Sequence, residues 1–195
     1  MHSATVQFVA PAEPVDRSRR PRATRLALLN FADDFALGTR SIAAHVRGFG
    51  YRCDLVFVKR LAHNSPEYSL NEANYAAVID LLRTLEPQVI GLSVATRVLP
   101  YALEASRRIR AAFPGARLLW GGWHATMSPD SVFRDADVDA VAVGEAEETV
   151  LEVLDRTERG LPLAGIPGLH TRAGDPVPQR PLVQDLDTIP WFRYD

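Results

Sequence analysis

Cysteine is nearly absent from this chain: of 195 residues only Cys53 carries a thiol. No internal disulfide can form, which fits a reducing compartment such as the cytoplasm. Leu55, Val56, Phe57 and Val58 follow Cys53 closely, so a buried structural thiol is expected rather than a nucleophile. Long apolar runs are also missing, and no stretch approaches the roughly 18 residues of a membrane span. Pro11, Glu13, Pro14 and Asp16 interrupt the N-terminus where a secretory signal needs an apolar core. There is no excess of positive charge: the formal net charge is −2, which does not favour nucleic-acid binding overall. Neither Gly-x-Gly-x-x-Gly nor a Gly-Lys-Ser/Thr phosphate loop follows the first apolar run, which weakens a nucleotide or flavin reading. No internal repeat is found.

The remaining composition is that of an ordinary globular chain, long enough for one well-cored domain with appendages. Residues 1–23, rich in Pro and Arg, read as a flexible leader. Its run Arg17-Ser18-Arg19-Arg20-Pro21-Arg22 is a solvated basic stretch or, alternatively, a phosphate- or partner-binding arm. Residues 24–160 alternate short apolar runs with helical periodicity. The strands are expected at Arg25–Asn30, Cys53–Val58, Val89–Val94, Arg117–Trp120 and Ala140–Val143. The helices are expected at Gly38–Phe49, from Tyr75 to Leu85 before Pro87, at Pro100–Phe113, from Ser128 to about Arg134, and at Glu147–Arg159. Such alternation predicts an α/β domain with a doubly wound, five-stranded parallel sheet of flavodoxin-like order 2-1-3-4-5. Residues 161–195 lack periodicity and read as an irregular extension. There, Leu169–Arg172 and Arg180–Val183 could form a hairpin around Ala173-Gly174-Asp175-Pro176.

Open sheets of this kind bind ligands beyond the carboxyl ends of their strands, at the switch in strand order, here between the first and third strands. Four loops meet at that edge: 30–38, 93–98, Gly121–Thr126 and Gly144–Glu147. Small and polar residues dominate them, which suits a ligand lying close against backbone. Each has a plainer reading when taken alone. Gly121-Gly122 could be a tight turn, Ser93 a strand end bonded to backbone, and His124 a loop histidine. Glu145 and Glu147 could simply favour a helix start. Their shared location strengthens the case for a site.

These residues resemble the cobalamin-binding domain at the front of cobalamin-dependent radical S-adenosylmethionine enzymes. Asp33-x-Phe35-x-x-Gly38 matches that family's Asp-x-His-x-x-Gly loop, with phenylalanine at the histidine position. Gly50-Tyr51 follows Phe35 by fifteen residues, the spacing the pattern needs. Gly91-Leu92-Ser93-Val94-Ala95 matches the serine motif, and Gly121-Gly122 the glycine pair. Gly121–Thr126, Gly144–Glu147 and Leu186-Asp187-Thr188-Ile189-Pro190 match motifs of the radical-enzyme branch. The resemblance covers about residues 25–195.

It implies that cobalamin lies on the sheet edge with its nucleotide tail between the first and third strands. The implied contacts are Asp33, Asp34, Phe35, Leu37, Gly38, Ser93, Val94, Ala95, Thr96, Gly121, Gly122, His124, Gly144 and Glu145. Ser93 would bond the tail, Gly121 and Gly122 would admit it closely, and Glu145 would accept from a corrin amide or ribose hydroxyl. No catalytic residue and no protein metal ligand is implied, because the phenyl ring of Phe35 has no lone pair for cobalt. The cofactor is therefore expected base-off and His-off, a state suited to repeated methyl transfer.

The chain lacks the Cys-x-x-x-Cys-x-x-Cys that would hold a four-iron cluster. S-adenosylmethionine and a 4Fe-4S cluster would then belong to a downstream radical domain, acting in cis or in trans, toward which residues 161–195 lead. The sequence stops at Trp191-Phe192-Arg193-Tyr194-Asp195, where such a domain would begin. The expectation is an excised binding domain of a methyltransferase or, alternatively, a stand-alone cobalamin-responsive sensor. Neither nucleic acid nor membrane is expected as a partner.

Overall fold

A computed structural model describes residues 15–31, 35–58, 70–172 and 177–192. In chain order the elements are β1 (Arg25–Phe31), α1 (Leu37–Gly48), β2 (Arg52–Val58), α2 (Glu72–Leu85), β3 (Val89–Ser93), α3 (Leu99–Ala112), β4 (Arg117–Gly121), α4 (Trp123–Met127), α5 (Pro129–Asp135), β5 (Ala140–Ala142), α6 (Glu147–Glu158) and β6 (Leu169–Thr171). No helix among the described residues is long and apolar enough to cross a membrane.

The sheet runs β2-β1-β3-β4-β5-β6. Its first five strands are parallel and take the expected order. The sixth is a correction to the five-stranded expectation: β6 pairs antiparallel with β5, Ala140 opposite Thr171 and Ala142 opposite Leu169. The anticipated hairpin partner, Arg180–Val183, is not a strand. The physical reason is the open edge of β5, whose unpaired backbone groups take the first extended segment that returns to them. Arg172 secures that return by donating to the carbonyls of Phe133, Ala136 and Val138. The expected turn at 173–176 lies outside the described residues.

Strand β1 shows how the layers are built. Ala27, Leu29 and Phe31 face one core with α2 and α3, while Leu26 and Leu28 face the other with α1 and α6. Successive side chains point to opposite faces, so a strand buried on both sides reads as one continuous apolar run. On the α2/α3 side Trp120 is fully buried, and its indole Nε1–H donates to Ser106 Oγ at 2.8 Å.

Helix α2 begins with a reciprocal cap, Asn71 Oδ1 accepting from Asn74 N and Asn74 Oδ1 accepting from Asn71 N. It ends at Glu86, whose φ of +50° is left-handed. Pro87 follows and disfavours right-handed helical backbone at the residue before it. One helix was missed by the sequence: α4, the single turn Trp123–Met127, occupies what reads as a loop.

Residues 15–23 of the leader run beside α6, with Arg17–Pro21 exposed. Arg22 has a side chain only 2% exposed; it bonds Glu158 at 3.2 Å and its guanidinium stacks over the Tyr51 ring. Ala23 N also donates to Glu158. Gly50 makes this passage possible: at φ +85° it has no Cβ, and one built there would fall 1.9 Å from Arg20 O. Residues 1–14 of the leader are outside the described set.

Between α1 and α6, His45 Nε2 stands 3.1 Å from Glu148 Oε1, and Arg17 Nη2 stands 2.7 Å from Glu148 Oε2. His45 first, with Arg17 beside it, holds the Glu148 carboxyl down at about 2.

Two outcomes follow from this packing. Ser106→Ala should lower the unfolding free energy by about 1–3 kcal/mol in urea titrations, because the buried indole N–H loses its acceptor. The Glu148 contribution to stability should be complete above the ordinary carboxylate value of 4.5 and fall away as pH drops toward about 2, since its folded value is the depressed one. Glu148→Gln should flatten that acid limb in pH-dependent melts; an unchanged limb would show that the charge contributes nothing.

Candidate functional site

The carboxyl ends of β1, β3, β4 and β5 open on one edge, and three of the four loops there are joined by hydrogen bonds. Val94 N donates to Gly121 O, and His124 N donates to Val94 O, both at 2.9 Å. Gly144 N donates to Thr126 Oγ1 at 3.1 Å. The close approach depends on Gly122 at φ +89°, where a Cβ would come within 2.9 Å of Val94 N and 3.2 Å of Ser93 Oγ. On the side where a Cβ would stand, that glycine meets the neighbouring loop.

Val94 is likewise committed, its side chain buried in the α2/α3 core and both its backbone polar groups bonded. Ala95 and Thr96 come next, Thr96 on the surface. The His124 ring reaches Thr96 Oγ1 from Nδ1 at 3.2 Å and Ser131 Oγ from Nε2 at 3.4 Å. It therefore braces the loops against α5. Glu145 is exposed, and one of its carboxylate oxygens accepts from Val183 N, which fastens the C-terminal segment to this edge. Gly144, at φ +79°, has nothing within 4 Å of its absent Cβ.

The loop after β1 is shaped differently. Asp33 and Asp34 lie outside the described residues. Phe35 is 68% exposed and Leu37 56% exposed. Between them Ala36 is buried and left-handed at φ +46°. An alanine there costs about 1 kcal/mol, and the conformation turns its two apolar neighbours outward. Arg40 N donates to Ala36 O, so the turn is held from within α1. Gly38 has open space where a Cβ would stand. Phe35 does not plug the core. Across the same edge Trp123 and Met127 of α4 are 79% and 75% exposed, and an apolar collar of this kind is a common mark of a binding surface.

Beneath the collar, on the α1/α6 side, the sheet is lined with small residues. By strand alternation Gly91, Ser93, Gly121 and Ala142 share the face of Leu28 and Leu119. Gly121 has nothing nearer to its absent Cβ than Ala142, at 3.8 Å. The sequence reading overlooked Asn30, the last but one residue of β1, directly opposite Ser93. It is 1% exposed, its Oδ1 accepts from Thr39 Oγ1 at 2.9 Å, and its Nδ2 has no hydrogen-bond partner. A polar residue near the end of an otherwise apolar strand was the available signal. The shallow floor, the unsatisfied donor and the apolar rim fit a large, flat, partly polar group with an extension reaching under α1.

A separate cleft of about 270 Å³ lies beside the start of α6, lined by Arg17, Glu145, Glu147, Glu148, Arg180, Pro181 and Val183. Its charged walls sit off the β1–β3 switch, so the sheet edge is the better seat for such a group. Among the described residues no cluster of three or more His, Cys, Asp or Glu is arranged to hold a metal ion.

Comparison with known proteins agrees with this geometry. Two solved structures share the fold. The cobalamin-dependent S-adenosylmethionine radical enzyme OxsB, with aqua-cobalamin and S-adenosylmethionine bound, superposes with a TM-score of 0.69 at 16% identity, over 86% of this chain and 24% of that one. The radical S-adenosylmethionine methyltransferase TsrM of Kitasatospora setae gives 0.62 at 16% identity, over 80% and 30%. Among curated proteins, the uncharacterized methyltransferase PH0819 of Pyrococcus horikoshii is 28% identical over 128 residues, 64% of this chain and 28% of its own. The anaerobic magnesium-protoporphyrin IX monomethyl ester cyclase of Rubrivivax gelatinosus is 26% identical over 159 residues, 76% of this chain and 26% of its own. The chain thus spans roughly a quarter of these curated relatives. A family model for the B12 binding domain matches residues 31–154, which take in the edge loops from Phe31 onward, and the chain belongs to that family.

Proposed function

We propose that this B12-binding domain holds cobalamin across the edge rimmed by Phe35, Leu37, Trp123 and Met127, base-off and with no protein ligand below the cobalt. On the same reading it serves a radical S-adenosylmethionine methyltransferase whose catalytic part lies outside these 195 residues. The observation that carries the reading is Phe35: it stands at the motif position of a cobalt-binding histidine and presents its ring outward, 68% exposed.

Bound cobalamin supplies a metal that can accept a methyl group and hand it on. The chain's own residues set the surroundings of that metal. Phe35 offers no atom that could bind a metal and would exclude water from the face it covers, surroundings that would ease reduction of the bound metal. Leu37, Trp123 and Met127 extend the dry surface under the corrin. Ser93 offers a hydroxyl to the nucleotide tail, and Gly121 leaves the tail room. Glu145, with one oxygen taken by Val183 N, keeps the other to accept from a corrin amide. Gly38, Ala95, Thr96 and Gly144 complete the rim, Val94, Gly122 and His124 hold its loops together, and the motif adds Asp33 and Asp34 as contacts.

S-adenosylmethionine and a four-iron cluster are assigned to the catalytic part. Cys53 cannot stand in for the three cluster cysteines; it is a single thiol, buried, and burial pushes it up to about 12.

Purified protein mixed with hydroxocobalamin and desalted should retain about one corrinoid per chain, with a base-off spectrum. Loss of the corrinoid from folded protein would sink the reading, and an imidazole-ligated spectrum would remove its lower-face claim. Phe35→His should convert the spectrum to the imidazole-ligated form; an unaltered spectrum would show that position 35 is not beneath the cobalt.

A further inference from the structure

Asn30 has a polar group that the fold leaves unused. Leu26 and Leu28 pack with α1 and α6, and alternation puts Asn30 next on that face, at the last turn of the strand before the loop. Ser93 lies opposite in register on β3, and the floor around the pair is made of Gly91, Gly121 and Ala142. The Asn30 carboxamide is fixed at one end, since Thr39 Oγ1 donates to its Oδ1. Its other end, the Nδ2 amide, is buried and meets no acceptor. A buried donor left unpaired is unfavourable, and proteins retain few of them. A ligand that brings an acceptor removes the penalty and is selected by it.

The geometry points to Asn30 as the residue that reads the nucleotide tail of the corrinoid, its Nδ2–H donating to a tail acceptor such as a phosphate oxygen or the free ring nitrogen of the lower base. This rests on the cobalamin reading and adds to it a basis for choosing among corrinoids. The tail is rich in acceptors, and a corrinoid without it offers nothing at this depth. Ser93 alone does not distinguish donors from acceptors, because its hydroxyl can act as either. The Asn30 amide can only donate.

The full chain and two variants, Asn30→Leu and Asn30→Asp, would be titrated with aquacobalamin and with aquacyanocobinamide, which lacks the nucleotide tail. Binding would be read from corrinoid absorption, and folding from thermal melts of the cofactor-free proteins. Asn30→Leu keeps the volume, and Thr39 retains Ala36 O as an acceptor, so its cofactor-free melting temperature should equal or exceed that of the wild type. Its affinity for cobalamin should drop about ten- to hundredfold, with cobinamide binding unchanged. Asn30→Asp keeps the acceptor that Thr39 uses and loses the donor; it should lose cobalamin at least as strongly.

An unchanged ratio of cobalamin to cobinamide affinity in Asn30→Leu, or wild-type cobalamin binding by Asn30→Asp, would overturn the assignment while leaving the cofactor reading standing. If Asn30→Leu fails to fold, Asn30→Asp decides alone. Failure of the wild type to bind either corrinoid would overturn both.

Discussion

Strand β1 is hydrogen-bonded along both edges, to β2 and to β3, and buried on both faces. The other elements take their places from it. Its odd-numbered residues draw α2 and α3 to one side, and its even-numbered residues draw α1 and α6 to the other. Because β2 and β3 both run parallel to β1, the chain must cross the sheet in opposite directions to reach them, and the loop that follows β1 stands at the parting. The site exists where this constraint runs out. At Asn30 the apolar stripe ends in an amide, and within a few residues the backbone turns left-handed at Ala36 and sets Phe35 and Leu37 outward.

Much of this was legible in the residues because the parallel strands are buried twice over and so are written as short, unbroken apolar runs. The alternation of strands and helices followed from that pattern; the order of the first five strands, and with it the four loops at the switch, came from the fold class. The pairing of the sixth strand did not. Leu169–Arg172 reads as extended, but its partner is set by the vacant edge of β5, which no local pattern reveals. Helix α4 escaped for a related reason: a single turn opened by two glycines reads as a loop, and only the bond from His124 N to Val94 O shows why it coils there.

Within the site, motif spacing located the loops, and the structure adds what some of their residues do for one another. Gly122 and Val94, read as ligand contacts, also fit one loop against the next. His124 braces Thr96 and Ser131. A motif reports which residues a fold requires at a place; it does not separate those that shape the place from those that touch what enters it. Asn30 shows the converse. It carries no motif weight, and its interest comes only from burial and an unmet hydrogen bond, neither of which is visible in sequence.

The glycines that close α1 have a consequence for how this domain is tethered. The incoming leader passes Gly50 at Arg20, and the outgoing segment touches Gly48 at Pro190. Both crossings lie at the end of α1 farthest from Phe35, about 18 Å away for a helix of twelve residues. Both segments thus pass the foot of α1, at the end of the helix opposite Phe35, while the outgoing one is fastened a second time at the sheet edge, where Glu145 accepts from Val183 N.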